Sequence, residues 1–280
     1  PHPPAGADAA HRAPAVVLLH GAAGVDDNRE PHYARQLAAM GIGAAVIDVF
    51  GARRDIATSF TDRVIRITET MALADAYATL AWLKARPEID GNRVAVWGFS
   101  YGAMASIVAT NTAIADRFAA LYKLGDTRFA AHIAFYGPCV IGFEDPRTTG
   151  APVLMAWGDR DAIMDPARCQ ATAAALRQGG SQVRTIVYPG AVHQWDGSRP
   201  GPRPIGRLLN DCDFQVERDL TVRDGNLGIA MGGTFTRKLI LANCVGGDPY
   251  LIGRDDAVRT KSDRDVAAFL SAAFGLAQRS

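Results

Sequence analysis

The chain has 280 residues, a length that one α/β domain often reaches. Hydrophobic residues make up 48% and charged residues 21%, which is typical of a globular protein and excludes a disordered or fibrous one. With 30 Lys+Arg against 29 Asp+Glu the formal net charge is +1, and no basic stripe is dense, so nucleic acid is not expected as a partner. Gly, Pro or a charge interrupts every apolar run before about 18 residues, which predicts no membrane span.

Apolar runs alternate with helical patterns along the first half of the chain. Residues 15–19 and 44–49 are rich in β-branched residues and are predicted to form buried strands. Apolar residues at helical spacing lie between them and predict a helix. A long helical pattern over 64–85 stops at Pro87, because proline cannot continue a helix, and a third strand is predicted over 93–97.

The alternation continues through the second half. The remaining predicted elements are a helix from about Tyr101, strands over 131–136, 153–157 and 183–188, a helix over 167–177 and a closing amphipathic helix over 264–275. Because parallel strands need crossover connections, this order predicts a doubly wound, mainly parallel α/β sheet with helices on both faces. The stretch 197–262 shows no clear period, and we interpret it as an insertion in a single domain over 1–280, packed near the mouth of the site.

A G-x-S-x-G motif at residues 98–102 lies directly between a predicted strand and a predicted helix. Its glycines allow a tight turn that exposes the hydroxyl of Ser100 at the sheet edge. A serine hydroxyl is a poor nucleophile alone, so it needs a base and a group that orients the base. The motif by itself often arises by chance, and its position after a strand makes it informative.

Two further residues can supply the base and the group that orients it. Each lies just past the carboxyl end of a predicted strand. Ser100, Asp161 and His193 follow one another in the chain order of α/β-hydrolases. We predict Ser100 as the nucleophile, His193 as general base and then general acid, and Asp161 as the carboxylate that orients the imidazole. Asp159 is the competing acid, but Asp161 occupies the expected place in the Gly158–Asp161 loop.

An acyl-transfer site also needs donors for the oxyanion of the tetrahedral intermediate. We predict the backbone amides of Ala22, in the loop after the first strand, and Tyr101, the residue after the nucleophile. His20 is expected to brace that loop, and His132, in an apolar strand, is expected to be a core histidine. Three aromatic residues near strand ends are candidates for lining a substrate pocket, with core packing left open: Trp157, Tyr136 and Trp195.

The four cysteines divide into Cys139 with Cys169 and Cys212 with Cys244. They lie far from other close-spaced Cys or His, which argues against a metal site. A disulfide across either loop of roughly 30 residues would stabilise the fold by about 3 to 4 kcal/mol in the chain-entropy model. Two such bonds suit a periplasmic or secreted enzyme, while four reduced, buried thiols in a cytoplasmic enzyme are the alternative. The first residues lack Met and an apolar segment, which is expected of a mature or trimmed chain.

From about residue 15 to residue 196, and again in the last helix, these motifs resemble the dienelactone hydrolase family of the α/β-hydrolase superfamily. The resemblance implies an ester or lactone hydrolase with a Ser/Cys, Asp, His triad and no cofactor. Typical members have a cysteine nucleophile and a glutamate in the first loop, where this chain has Ser100 and Gly21. They also place a substrate-binding arginine after the catalytic histidine, at about Gly197 here. These departures favour a general carboxylesterase.

We therefore expect hydrolysis of a small-molecule or polymeric carboxylic ester through an acyl-serine intermediate. The same triad could pass the acyl group to an alcohol or peracid acceptor, or open a lactone. A non-catalytic homologue of this fold would instead only bind a ligand. Acyl chain length and oligomeric state are left open by the sequence.

Overall fold

A computed structural model describes residues 7–208 and 211–276 of the chain. The strands are β1 (Ala13–Leu19), β2 (Gly43–Ile47), β3 (Ile89–Phe99), β4 (Ala131–Phe135), β5 (Ile141–Phe143), β6 (Val153–Gly158), β7 (Val183–Tyr188), β8 (Arg203–Leu208), β9 (Phe214–Val216), β10 (Val222–Asp224) and β11 (Gly246–Ile252). The helices are α1 (Glu30–Ala39), α2 (Phe60–Arg66), α3 (Glu69–Lys84), α4 (Tyr101–Val108), α5 (Thr112–Leu121), α6 (Pro166–Gln178), α7 (Thr234–Cys244) and α8 (Asp256–Phe274). Residues 1–6, where a mature or trimmed start is expected, lie outside the described residues.

The central sheet has six strands in the order β2-β1-β3-β4-β6-β7. Every neighbouring pair in it is parallel, with Val16 of β1 opposite Ala44 of β2 and Ala95 of β3. Parallel neighbours bring the carboxyl ends of all six strands to one edge of the sheet. The predicted α/β-hydrolase fold is confirmed, and the motifs that follow β1, β3, β6 and β7 share that edge.

Helices cover both faces of the sheet because successive side chains of a strand point in opposite directions. Val16 and Leu18 pack with residues of α1 and α8 on one face. Val17 and Leu19 pack with residues of α3 on the other. All four side chains are fully buried, and each such burial typically stabilises the fold by about 1.5 to 3 kcal/mol.

The long helical pattern over 64–85 is two helices, not one. Ile67 follows α2 in an extended conformation, and the hydroxyl of Thr68 accepts a hydrogen bond from the amide of Met71 at the start of α3. A threonine cap of this kind stabilises a new helix start. Apolar residues keep a helical spacing across this break, so the sequence pattern does not reveal it.

The last helix begins at Asp256, earlier than the predicted 264–275. The carboxylate of Asp255 accepts hydrogen bonds from the amides of Ala257 and Val258, both at 3.0 Å, and so fixes this start. Six of the first eight residues of α8 are charged or polar, so an apolar period becomes visible only beyond them. The stretch without a clear period therefore ends before Asp256 and not at residue 262.

The segment from 197 to 255 has its own short elements, joined to the main domain. β8 pairs with β11, and β9 pairs with β10, both antiparallel. β9 also pairs with β5, which follows the central strand β4. Strands of three residues, such as β9 and β10, are too short to show a period in the sequence. No helix in the described part of the chain is long and apolar enough to cross a membrane.

Candidate active site

Ser100 lies on a tight turn between β3 and α4. Its backbone has φ 51° and ψ −110°, in a region that few non-glycine residues adopt. A Cβ at Gly98 would meet the carbonyl of Gly102, and a Cβ at Gly102 would meet the carbonyl of Leu19. The two glycines are therefore needed for the close approach of β3, α4 and the first loop, as expected for this motif.

The structure brings Ser100, His193 and Asp161 into one hydrogen-bonded chain. His193 Nε2 lies 2.9 Å from Ser100 Oγ, and His193 Nδ1 lies 2.7 Å from Asp161 Oδ2. A carboxylate can only accept, so Nδ1 carries the proton and Nε2 is free to accept from the serine hydroxyl. The imidazole is 1% exposed and the carboxylate residue 3% exposed, which keeps water from competing for these bonds.

The two acids of the loop after β6 have different contacts. Asp161 Oδ1 accepts from the amide of Ile163 at 3.1 Å, which holds the carboxylate towards His193. Asp159 is exposed, and its Oδ1 accepts from the amide of Gly190 at 2.7 Å. Asp159 therefore braces the loop that precedes the histidine.

The loop after β1 passes directly beside Ser100. A Cβ at Gly21 would lie 3.5 Å from Ser100 Cβ, so a larger side chain at this position would face Ser100. His20 holds this loop in place: its Nε2 accepts from the amide of Val49 at 3.1 Å, and its Nδ1 donates to the carbonyl of Gly21 at 2.8 Å. Burial lowers the pKa of His20, which favours this neutral state.

The amides predicted to bind the oxyanion are on either side of the serine. Tyr101 is the first residue of α4, where an amide has no acceptor within the helix. Ala22 lies in the first loop and lines the same cavity as Ser100. The only bond between backbone groups of that turn runs from the amide of Gly24 to the carbonyl of Gly21, within the residues described. Both amides are thus available to a ligand.

The three aromatic candidates have different locations. Trp157 and Trp195 are 2% and 0% exposed, belong to the core, and do not line the cavity at Ser100. Trp195 Nε1 donates to Ser262 Oγ at 3.2 Å, which ties the histidine loop to α8. Tyr136 is also buried, but its ring contacts the imidazole of His193 with centroids 4.8 Å apart. The structure thus places the tryptophans in core packing and Tyr136 beside His193.

Sequence reasoning missed a buried polar cluster next to Tyr136. Asp196 is fully buried and accepts hydrogen bonds from the hydroxyls of Tyr33, at 3.0 Å, and Tyr136, at 2.5 Å. Burial raises the pKa of Asp196, while the charge of the nearby Arg29 opposes the rise. Arg29 is itself buried and donates to Glu30 at 2.7 Å. Tyr136 has a left-handed backbone conformation, with φ 41°, and these bonds hold its ring against His193.

A cavity of about 500 Å³ opens beside Ser100. Its walls come from the first loop, α2, α4, and several elements of the segment 197–255. The lining residues from α2, α7 and the β8-β11 pair include Phe60, Val64, Ile205, Lys238, Leu241 and Tyr250. The wall is mostly apolar. Of its three charged residues, the buried Arg237 and the half-buried Glu69 are paired at 2.9 Å, and Lys238 is exposed.

Both predicted cysteine pairs are joined in the structure. Cys139 bonds to Cys169, with Cα atoms 5.1 Å apart, and Cys212 bonds to Cys244, with Cα atoms 4.7 Å apart. The first bond links the segment between β4 and β5 to α6. The second fastens the end of α7, a wall of the cavity, to the chain just before β9. Among the described residues, no group of three or more His, Cys, Asp or Glu side chains is arranged to hold a metal ion.

The chain belongs to the dienelactone hydrolase family, whose sequence profile matches residues 4–201. A Salmonella typhimurium protein provisionally named carboxymethylenebutenolidase is 26% identical over 157 residues, which cover 52% of this chain and 53% of that protein. The chain thus spans about half the length of the curated relatives it matches. Most of the segment 197–255 lies beyond the residues that the family profile matches.

Solved structures share the fold. A Klebsiella pneumoniae protein, provisionally described as a dienelactone hydrolase, has a TM-score of 0.51 and 24% identity, covering 69% of this chain and 80% of that one. Thermogutta terrifontis esterase 2, phosphoramylated by tabun, has a TM-score of 0.59 and 13% identity, covering 100% of this chain and 90% of that one. At these identities the likeness shows the α/β-hydrolase fold.

Proposed function

We propose that this protein is a serine hydrolase that cleaves carboxylic esters through an acyl-Ser100 intermediate. The observation that carries the proposal is the chain of two short hydrogen bonds from Ser100 through His193 to Asp161, next to a cavity. The same three groups, with two backbone amides beside them, are what acyl transfer to a serine requires.

The reaction follows from these positions. His193 Nε2 removes the proton of Ser100 as Oγ attacks the ester carbonyl carbon, and the amides of Ala22 and Tyr101 bind the oxyanion that forms. Asp161 stabilises the imidazolium. His193 then gives its proton to the leaving alcohol oxygen, which breaks the ester bond. A water molecule that His193 deprotonates then attacks the acyl carbon. The bond from that carbon to Ser100 Oγ breaks, and His193 gives the proton to Oγ, which releases the acid and restores the hydroxyl.

The cavity supports an ester with an apolar body as substrate. Its walls are mainly aliphatic and aromatic, its Arg237 is already paired with Glu69, and its remaining charged lining residue, Lys238 of α7, is exposed. We therefore propose uncharged esters over dienelactone-type acids. A panel of p-nitrophenyl esters of increasing acyl length tests this, and kcat/KM should rise with chain length until the cavity is filled. A flat profile, or a preference for anionic esters, would reject it.

Replacing the nucleophile tests the mechanism. Ser100→Ala should retain the fold and reduce ester turnover by about 10³-fold or more, because it removes the attacking atom. Ser198→Ala is the matched control, since Ser198 is an exposed serine that bonds to Asp26. A fluorophosphonate probe should label the wild type and the control but not the Ser100 variant. Near-normal turnover by Ser100→Ala, or failure of the wild type to be labelled, would reject the proposal.

We also propose that the chain is a single domain located in the periplasm or outside the cell. The bonds between β5 and β9, and the two disulfides, support one unit in an oxidising compartment. One cooperative unfolding transition and the absence of alkylatable thiols in unreduced, denatured protein from its native source are expected. Two separate transitions would contradict the single domain, and four free thiols would contradict the compartment.

A further inference from the structure

Tyr250 brings a phenol from the segment 197–255 to the proposed catalytic site. Its ring meets the imidazole of His193 edge-on, with centroids 5.5 Å apart and planes at 88°. Tyr250 also lines the cavity that Ser100 lines. The ring therefore forms the part of the cavity wall that is next to the proposed base.

Backbone hydrogen bonds fix Tyr250 relative to His193. The amide of His193 donates to the carbonyl of Leu251 at 3.1 Å, and the amide of Gly253 donates back to the carbonyl of His193 at 3.0 Å. These bonds join β11 to the histidine loop like two strands of a sheet. The phenol position is thus set by the backbone that also sets the imidazole position.

The hydroxyl of Tyr250 is free, in contrast to other tyrosines of the protein. Tyr33, Tyr101, Tyr136 and Tyr188 each donate to a carboxylate or a backbone carbonyl. The Tyr250 hydroxyl makes no hydrogen bond within the described part of the chain, and unlike that of Tyr77 it is not sealed in the core. Burial and the charge of Asp161 raise the pKa of Tyr250, so the group keeps its proton and remains a donor.

The reaction geometry indicates which part of a substrate this donor meets. His193 Nε2 must protonate the leaving oxygen, so the alcohol portion of the ester has to lie against the imidazole. The oxyanion is held elsewhere, by the amides of Ala22 and Tyr101. A donor beside the imidazole, in a mostly apolar wall, therefore faces the alcohol portion.

We infer that the Tyr250 hydroxyl donates a hydrogen bond to the alcohol portion of the ester and selects alcohols that carry an acceptor oxygen. This inference rests on the proposed function. A site that supplies a hydrogen-bond donor loses discrimination when the donor is removed, because the acceptor is then desolvated without a partner. Tyr250 is then a substrate-binding residue contributed by a segment mostly beyond the family profile match.

Two pairs of equally sized esters test the inference. 2-Methoxyethyl butanoate and butyl butanoate differ by one ether oxygen on the alcohol side, and ethyl 3-methoxypropanoate and ethyl pentanoate differ by one on the acyl side. Tyr250→Phe should lower kcat/KM for 2-methoxyethyl butanoate by about five- to tenfold, mainly through KM, and leave the other three esters within about twofold. Tyr122→Phe, which removes a hydroxyl outside the cavity, should change none of the four.

The possible results distinguish a failure of this inference from a failure of the proposed function. An equal loss on all four esters would mean that Tyr250 only positions His193, and no loss on any would mean that the hydroxyl is unused. Either result overturns the inference while ester hydrolysis stands. If the wild type hydrolyses none of the esters and a fluorophosphonate fails to label Ser100, the proposed function fails instead.

Discussion

The backbone amide of His193 donates to the carbonyl of Leu251, 3.1 Å away, and so joins the loop of the proposed base to β11. The family profile matches residues 4–201, which include the histidine but not the strand that holds it. The segment 197–255 is therefore a support of the base as well as a wall of the cavity. Variation in this segment can alter turnover and substrate choice together.

Asp161→Asn is expected to reduce kcat by about 10³- to 10⁴-fold with little change in stability. An amide can present its NH₂ group to Nδ1, which would force the proton to Nε2 and leave no acceptor for the Ser100 hydroxyl. Steady-state kinetics and thermal melting measure the two effects. Asp159→Asn is the matched control, because the Asp159 carboxylate accepts from the amide of Gly190 and, among the described residues, from no other group, and it should stay within about threefold of the wild type. The reverse ranking would assign the acid to Asp159.

Gly102→Ala is expected to lower the free energy of unfolding by about 3 kcal/mol or more. The added Cβ would lie 2.8 Å from the carbonyl oxygen of His20 and still closer to that of Leu19, and backbone at both places cannot move aside cheaply. Gly21→Ala is the control: its Cβ would lie 3.4 Å from the carbonyl of Phe99, an ordinary contact, and should cost less than about 1 kcal/mol. Urea unfolding of both variants measures the two free energies of unfolding. Equal losses in the two variants would contradict the close packing of α4 against the first loop.

The parts of the site that the sequence predicts are those carried by local patterns. The glycines around Ser100 are required by the turn itself, and Asp161 and His193 each follow a run that is visibly a strand. Parallel pairing then brings the three to one edge. Their proximity could therefore be inferred without knowing any side-chain contact.

The parts that the sequence does not predict depend on contacts between distant segments. Asp196 is recognisable as a neighbour of the proposed site only once Tyr33 and Tyr136 are seen to bond to it. Tyr250 lies in a strand whose partner, β8, is also irregular in sequence. Pairing between distant segments leaves no periodic pattern in the sequence. The sequence could therefore place this segment near the site but could not identify which side chain faces His193.

Loss of the Cys212–Cys244 disulfide is expected to affect both stability and substrate binding. The bond closes a loop with a sequence separation of 32, and its removal should lower the free energy of unfolding by about 3 to 4 kcal/mol in the chain-entropy model. It also anchors the end of α7, so KM for long-chain esters should rise in the Cys212→Ser/Cys244→Ser variant. The Cys139→Ser/Cys169→Ser variant should show a similar loss of stability with a smaller change in KM. An unchanged KM in the first variant would show that α7 keeps its place without the bond.

His132 should make the stability of the fold depend on pH in the mildly acidic range. Its imidazole is fully buried in β4, donates to the carbonyl of Ser106 at 3.1 Å, and has a pKa that burial lowers from 6.5 to about 4. Between pH 6.5 and about pH 4 this histidine is protonated in the unfolded chain but neutral in the folded chain. The stabilisation present above pH 6.5 is therefore lost as the pH falls towards 4.

The size of this effect is about 3 to 4 kcal/mol, because the pKa falls from 6.5 to about 4 and each pKa unit corresponds to roughly 1.4 kcal/mol. Urea unfolding between pH 7 and pH 4 should show the slope in the wild type, and His132→Gln, which keeps a donor for Ser106, should show a shallower one. Buried acids such as Asp196 titrate equally in both proteins and cancel in the comparison. A slope that survives in His132→Gln would place the titrating group elsewhere in the core.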